Sequence, residues 1–305
     1  MSSFLSVIEE VDSFKKTDAF YTFLDHEGRT ALGYIDPNVV ELLQSEPTFV
    51  TNHETETIAI DSQFDTLKKR NEMFAEVANR WRVLPELDEI LNKGWRNELY
   101  VVYNPSKTPY AYMERAFSVL FGVVTYGVHI NGYVPPELSS NGKLKLYIPR
   151  RSKNKSTFPG MLDNTVAGGI GYPHGLETTI IKECFEEAGL EEDFVRKNIK
   201  NTGVLTYIYL TDDGRAEPEV EYICDIIIKE DEAHLISPQD GEAEDFKLMD
   251  IDEVLKHVEN RAFKPNCGLV IVDFLIRHGY ITAESEPDYL EIVSRCHVKL
   301  PFPTR

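Results

Sequence analysis

Between Gly168 and Leu190 a glycine-rich stretch runs directly into a short segment of helical periodicity, and no other feature of this 305-residue chain constrains its fold as tightly. Glu183, Glu186 and Glu187 fall at i, i+3 and i+4, so on a helix all three carboxylates share one face within about one turn. Like charges at that spacing cost an isolated helix about 0.2–0.5 kcal/mol per pair, so the arrangement suits a face with a cation among the carboxylates. Oxygen donors without His or Cys beside them suit Mg²⁺ or Mn²⁺ rather than zinc.

A run of glutamates is more commonly a solvated helix face, and the neighbouring residues decide between the two uses. Leu176, Ile180, Ile181, Cys184 and Ala188 recur at helical spacing and predict a buried stripe beside the acidic face. Gly189 is placed as the left-handed C′ residue, with Leu190 packing back on the last turn. Upstream, Gly168, Gly169, Gly171, Pro173 and Gly175 expose backbone N–H groups and let a ligand approach the main chain.

This segment resembles the Nudix box, G-x5-E-x7-R-E-U-x-E-E-x-G-U with U aliphatic. Gly168 stands at its start, Glu183 at the first core glutamate, and Glu186 and Glu187 at the metal-binding pair. Two positions depart: the early glutamate is His174 and the arginine is Lys182, which keeps the charge but loses the guanidinium's rigid fork. Glu177 is the nearby candidate to replace the lost carboxylate. Longer stretches resemble the thiamin pyrophosphokinase-related Nudix proteins, which carry a DUF4743 domain ahead of the Nudix half. They are Trp95–Tyr100, Phe121-Gly122 with Tyr126–Tyr133, Pro149–Ser152, Pro159–Asn164, Phe263–Cys267 and Asp273–Gly279.

The resemblance implies an α+β chain: a small N-terminal α+β domain, then a Nudix α/β/α sandwich with a mixed sheet. It implies Mg²⁺- or Mn²⁺-dependent hydrolysis, with Glu183, Glu186 and Glu187 holding metal and Gly168 and Gly169 holding the phosphates through their amides. It further implies a diphosphate of damaged or analogue thiamin, such as oxo- or oxythiamin diphosphate, as substrate. A general nucleotide or nucleotide-sugar pyrophosphatase and a non-catalytic diphosphate-binding module remain the alternatives. Tyr126, His129, Asn131, Tyr133 and Asn266 are available for a head group.

Lys plus Arg number 32 against 51 Asp plus Glu, a net charge of −19, which argues against nucleic acid or an anionic membrane as the main partner. A small anionic substrate then needs a local basic patch, and Arg150, Arg151, Lys153 and Lys155 supply one; Arg150 and Arg151 are the candidate phosphate ligands. Cys184, Cys224, Cys267 and Cys296 lie far apart and read as buried thiols in a reducing compartment. Met1–Leu5 has no basic flank or apolar core, and no apolar run is long enough for a membrane helix, so a cytosolic setting is expected.

Helical patterns over Phe64–Trp81 and Pro85–Lys93 mix with strands at Tyr21–Leu24 and Leu99–Tyr103, and the polar, proline-interrupted run from Asn104 sets a boundary near residue 112. Trp81-Arg82 and Trp95-Arg96 are expected as anchors between two domains. The second domain, 113–285, starts with an extended stretch over Phe117–Tyr133, then a disordered loop at Pro135–Gly142 and a strand through Leu144, Leu146 and Ile148. Strands at Gly203–Leu210 and Glu219–Ile228 follow, with helices from Ile251 and over Asn266–His278; residues 286–305 form a helix and tail. In the acidic loop 240–245, Glu242 and Glu244 share a side if the segment is extended; Glu244 is the favoured base or further metal ligand, with Glu242 beside it.

Overall fold

The computed structural model describes residues 4–17, 19–155 and 157–305; the first three residues, part of the N-terminal stretch considered above, lie outside it. The chain opens with α1 (Leu5–Val11), then β1 (Tyr21–Leu24), β2 (Ala31–Ile35), α2 (Pro37–Gln44), β3 (Phe49–Asn52), β4 (Thr57–Ile60) and α3 (Leu67–Trp81). A hairpin of β5 (Leu99–Tyr103) and β6 (Pro109–Glu114) and a short turn, α4 (Arg115–Ser118), complete this half. The four-stranded sheet has the order β2-β1-β4-β3, with β1 and β4 parallel. Thr66 caps α3 by accepting the Lys69 N–H, and the helix lays Met73, Phe74, Val77 and Trp81 against an aromatic core.

The second half contains β7 (Thr125–Val134), β8 (Lys145–Arg151), β9 (Val166–Gly169), α5 (Leu176–Ala188), α6 (Glu192–Asn198), β10 (Ile199–Leu210) and β11 (Ala216–Ile227). It closes with β12 (Ala243–Asp250), α7 (Ile251–Glu259), α8 (Pro265–Arg277) and α9 (Tyr289–Arg295). The sheet is mixed, as expected: β10-β11-β7-β8-β12, with β9 added antiparallel to β7 and the β11–β7 pair parallel. Helix α5 covers one face through Ile180, Cys184 and Ala188, while α8 and α1 cover the other through Leu269, Val272, Val7 and Ile8. The α1 helix, first in sequence, thus packs in the C-terminal half of the chain.

Several local expectations change. Residues 115–121 form helical turns rather than an extended run, because Phe117, Leu120 and Phe121 complete the aromatic core; Gly122, at φ +54°, then turns the chain into β7. The 135–142 loop is held in place: Glu230 accepts from the Ser140 N–H at 3.0 Å and Asn141 donates to Asp250 at 3.2 Å. Trp81 and Trp95 both pack on the N-terminal core, with Arg82 over the Trp95 ring at 4.4 Å, and so belong to that core rather than to a contact between halves. Among the described residues no helix is long and apolar enough to cross a membrane.

Candidate active site

The α5 helix holds the acidic face as its sequence pattern predicts. Its apolar stripe is buried in the sheet, and it ends at Gly189, φ +72°, where the Gly189 and Leu190 N–H groups return to Phe185 and Cys184 carbonyls, each at 3.0 Å. Opposite the carboxylates runs β9, so Gly168 and Gly169 belong to a strand paired with Val128 and Gly127 rather than to a free loop. A side chain at Gly168 would collide with that of Glu183. Glu187 accepts the Ala167 N–H at 3.0 Å.

One cation already spans this face. The Lys182 ammonium lies 2.9 Å from Glu183 Oε1 and 2.9 Å from Glu186 Oε2. Burial works against charge on Lys182, but its bonds to Glu186 and Glu183 outweigh it and raise its pKa. Glu187 has no such partner: burial, then the carboxylates of Asp163, Glu183 and Glu242, push its pKa well above the usual range despite the Ala167 N–H. Glu183 is raised by burial as well, against the pull of Lys182. The oxygen donor set and the unpaired, buried Glu187 fit a hard divalent cation. Among the described residues no three carboxylate, imidazole or thiol groups converge into a finished cage, and the Lys182 ammonium stands between Glu183 and Glu186.

The opposing wall comes from the N-terminal half. The Tyr172 N–H donates to the Leu99 carbonyl at 2.7 Å and Tyr112 stacks on Tyr172 with ring centroids 4.3 Å apart, docking the β5–β6 hairpin on the glycine stretch. Side chains at Gly169 and Gly171 would strike the Tyr100 hydroxyl and the Glu98 carboxylate. These glycines therefore serve the docking of one half of the chain on the other. Arg115, 3.0 Å from Glu98, and Arg96 project from the same wall.

Between the walls lies a cavity of about 620 Å³, lined by six Lys or Arg and seven Asp or Glu side chains. Glu183, Glu186, Glu187, Gly168, Gly169 and Arg151 all line it. Arg151, however, spends its guanidinium on Asp163 at 2.5 Å and on the Phe158 and Thr157 carbonyls, bracing the 157–163 segment. Arg150 donates to the Gly160 carbonyl at 2.8 Å and lies outside the lining. Glu242 lines the cavity and pairs with Lys155 at 2.7 Å, while Glu244 does not line it. The expected alternation of the two is broken by a register shift between Ala243 and Asp245. Glu177 pairs with Arg196, so it does not replace the carboxylate lost at His174. Asn266 lines a separate, smaller compartment.

Sequence reasoning did not single out Asp163, Lys264 or Arg115, and it named Arg96 with Trp95 as a domain anchor, whereas Arg96 lines the cavity. Asp163 is pushed up by burial, but Lys264 and Arg151 outweigh this and hold its carboxyl below the usual range. The segments 159–164 and 263–267 carried a signal as motifs, but only their convergence at the cavity gives these residues a role.

A model described as a domain of unknown function, DUF4743, matches residues 4–125, and the NUDIX domain model matches residues 138–267. An uncharacterized protein of Saccharomyces cerevisiae is 40% identical, the match covering 99% of this chain and 92% of that protein. Arabidopsis thaliana Nudix hydrolase 20, chloroplastic, is 35% identical over 92% of this chain and 74% of its own length. Nudix hydrolase 24, chloroplastic, of the same plant is 37% identical over 77% and 64%.

Proposed function

Since this chain belongs to the Nudix hydrolase family and is a hydrolase of phosphorus anhydrides, we propose that it converts the diphosphate of a damaged or analogue thiamin to the monophosphate and phosphate. The observation that carries the site is the single cavity shared by the α5 carboxylates, the β9 glycines and Arg96, Asn97, Glu98 and Arg115, which flank the β5–β6 hairpin. Glu183, Glu186 and Glu187 would hold Mg²⁺ or Mn²⁺, and such an ion supplies charge neutralisation on phosphate oxygens and acidification of water. Lys182, which now pairs with Glu183 and Glu186, would then be available to meet a phosphate oxygen. Glu242, which lines the cavity opposite α5, is the better candidate than Glu244 to take a proton from the attacking water. Water adds to phosphorus and the anhydride P–O bond breaks: attack at the terminal phosphorus puts the water oxygen in the released phosphate and leaves the bridging oxygen on the monophosphate, and attack at the inner phosphorus does the reverse.

The near balance of basic and acidic groups in the cavity supports a metal requirement, because a diphosphate entering without added positive charge meets a neutral to slightly acidic lining. The thiamin head group is the reading of the family resemblance, and the N-terminal unit, 1–112, is proposed to complete the substrate cavity of the 113–285 unit, with 286–305 closing the fold. The four cysteines are free and buried, which supports a reducing compartment; we keep the cytosol as its setting, although the two plant relatives are named chloroplastic.

The test is phosphate release with Mg²⁺ from thiamin, oxythiamin and oxothiamin diphosphates beside ADP, ADP-ribose and NADH. Preference for the altered thiamin diphosphates supports the proposal. Preference for a nucleotide replaces the substrate and keeps the site, and no release from any of them favours a binding module.

A further inference from the structure

The α8 end of the cavity opens a question that the metal face does not answer. Lys264, at the N-cap of α8, lines the main cavity and also a compartment of about 190 Å³; Thr157 is the other residue common to both. Among the described residues the Lys264 ammonium makes no hydrogen bond and no ion pair, although nearly every other lysine or arginine lining the main cavity is paired. Burial works to remove its charge, but neighbouring Cys267 and Asp163 outweigh burial and raise its pKa, so the ammonium is retained. A half-buried ammonium whose charge is held by Asp163 nearby, but whose donors make no hydrogen bond or ion pair among the described residues, is free at this junction between two cavities to donate to an anion.

The smaller compartment has its own chemistry. Tyr207 and Tyr209 of β10, with Val11 of α1 and Phe158, give it apolar and aromatic walls. Glu217 and Glu219 of β11 and Asn266 of α8 add carboxylate and amide groups. Glu219 is engaged by the Tyr207 hydroxyl, whereas the nearest basic group to Glu217 is Arg215, 3.8 Å away. Drug-sized ligands fill roughly 300–1,000 Å³, so a space of this volume takes one ring system rather than a nucleoside. Burial raises the carboxyl pKa of Glu217 and of Glu219, the latter to about 8, and a flat ring that brings positive charge or N–H donors between these aromatic walls restores their ionised, accepting form.

We propose that the two cavities are one substrate site, in which Lys264 binds a substrate phosphate at the junction and the compartment beyond it receives a cationic or amino-bearing heterocycle recognised by Glu217, Glu219 and Asn266. The inference rests on the proposed diphosphate hydrolysis and adds to it a specificity element outside the α5 carboxylates. It makes α1 part of substrate selection, since Val11 roofs the head-group compartment. It also gives Asn266 a place in the site, one compartment away from the metal face.

Binding is measured by calorimetry on the full chain with Ca²⁺, so that turnover is not needed for the readout, using thiamin diphosphate, dimethylallyl diphosphate and methyl diphosphate as probes. The wild type binds thiamin diphosphate at least tenfold tighter than either neutral-headed probe. The Glu217→Gln/Glu219→Gln protein loses that preference while its affinity for methyl diphosphate stays within about twofold. Lys264→Met weakens all three probes by tenfold or more, and Lys264→Arg restores part of the loss. Thermal unfolding of each variant identifies any that fail to fold, and Tyr209→Ala, which opens the same wall without touching charge, then serves as the second probe of head-group preference. Equal affinity of the wild type for charged and neutral heads, or equal loss on all probes in the double variant, overturns the head-group assignment. Unchanged affinity in Lys264→Met overturns the junction. Failure of the hydrolysis proposal shows instead as tight binding of oxythiamin diphosphate without phosphate release when Mg²⁺ replaces Ca²⁺.

Discussion

Phe23, Phe49, Phe74, Phe117 and Phe121 pack in edge-to-face and tilted pairs in the N-terminal half, with ring centroids 5.0–6.5 Å apart. The C-terminal sheet buries a different population: His129 bonds Asn164 at 2.7 Å, Asn164 donates to Asn131 at 3.1 Å, and Asn131 donates to Asp225, which also holds Arg277. The first core is stabilised by apolar area and aromatic geometry. The second interleaves apolar layers with a satisfied polar network that runs toward the cavity, and its members are costly to leave unpaired. One half of the molecule is built to hold a shape and the other to hold charges, and they meet at the glycines of 168–171.

This contrast makes the two halves separable by mutation. Glu187→Gln should lower kcat on any accepted diphosphate by on the order of a hundredfold or more, with little change in Tm, because it removes charge where the reaction needs it and relieves a buried, unpaired carboxylate. Phe74→Ala should do the reverse, costing about 3–5 kcal/mol of stability by chemical denaturation while kcat measured below the transition changes little. A large loss of kcat in Phe74→Ala at full folding would show that the N-terminal core tunes the site as well as supporting it.

The seam is tested by Gly169→Ala, whose new methyl would displace the Tyr100 hydroxyl. It should cost about 1–3 kcal/mol and raise KM more than it lowers kcat, since the hairpin wall is shifted and α5 is not. A smaller effect concerns pH. Glu219 is pushed up to about 8 by burial and by the neighbouring Glu221 and Glu217. A carboxyl raised in the folded state contributes stability that is fully present below its unfolded value, 4.5, and is lost as pH rises through about 8. Tm should therefore fall as pH rises from about 5 to about 8 and level off above that, and fall less in Glu219→Gln. Tyr207, Lys264, Glu217 and Glu221 face the same group and set its environment.

The α5 helix and its carboxylate face were legible in the sequence because spacing, apolar stripe and glycine stop all act within one element. The mixed sheet followed from the order of its strands and helices. What stayed hidden needed contacts distant in sequence. Gly169 and Gly171 read as room for a ligand, yet they make room for Tyr100 and Glu98 some 70 residues earlier. Phe117–Phe121 has a strand composition, but three buried apolar side chains draw it into helical turns over the aromatic core. Alternation put Glu242 and Glu244 on one side with Glu244 favoured, but the irregularity between Ala243 and Asp245 separates them and leaves Glu242 in the cavity. Lys264 stood in a recognisable motif, but nothing local marked its role, which comes from its place where two cavities meet.

The central claim, that the acidic face of α5 is the metal-dependent centre of a diphosphate hydrolase, is tested most directly by titrating Mg²⁺ into wild-type and Glu186→Gln proteins during phosphate release from oxythiamin diphosphate. Saturable, Mg²⁺-dependent release in the wild type, with a collapse of kcat in a variant whose far-UV spectrum and Tm are unchanged, is the predicted result. Release that persists in Glu186→Gln, or that proceeds equally without divalent cation, would contradict it.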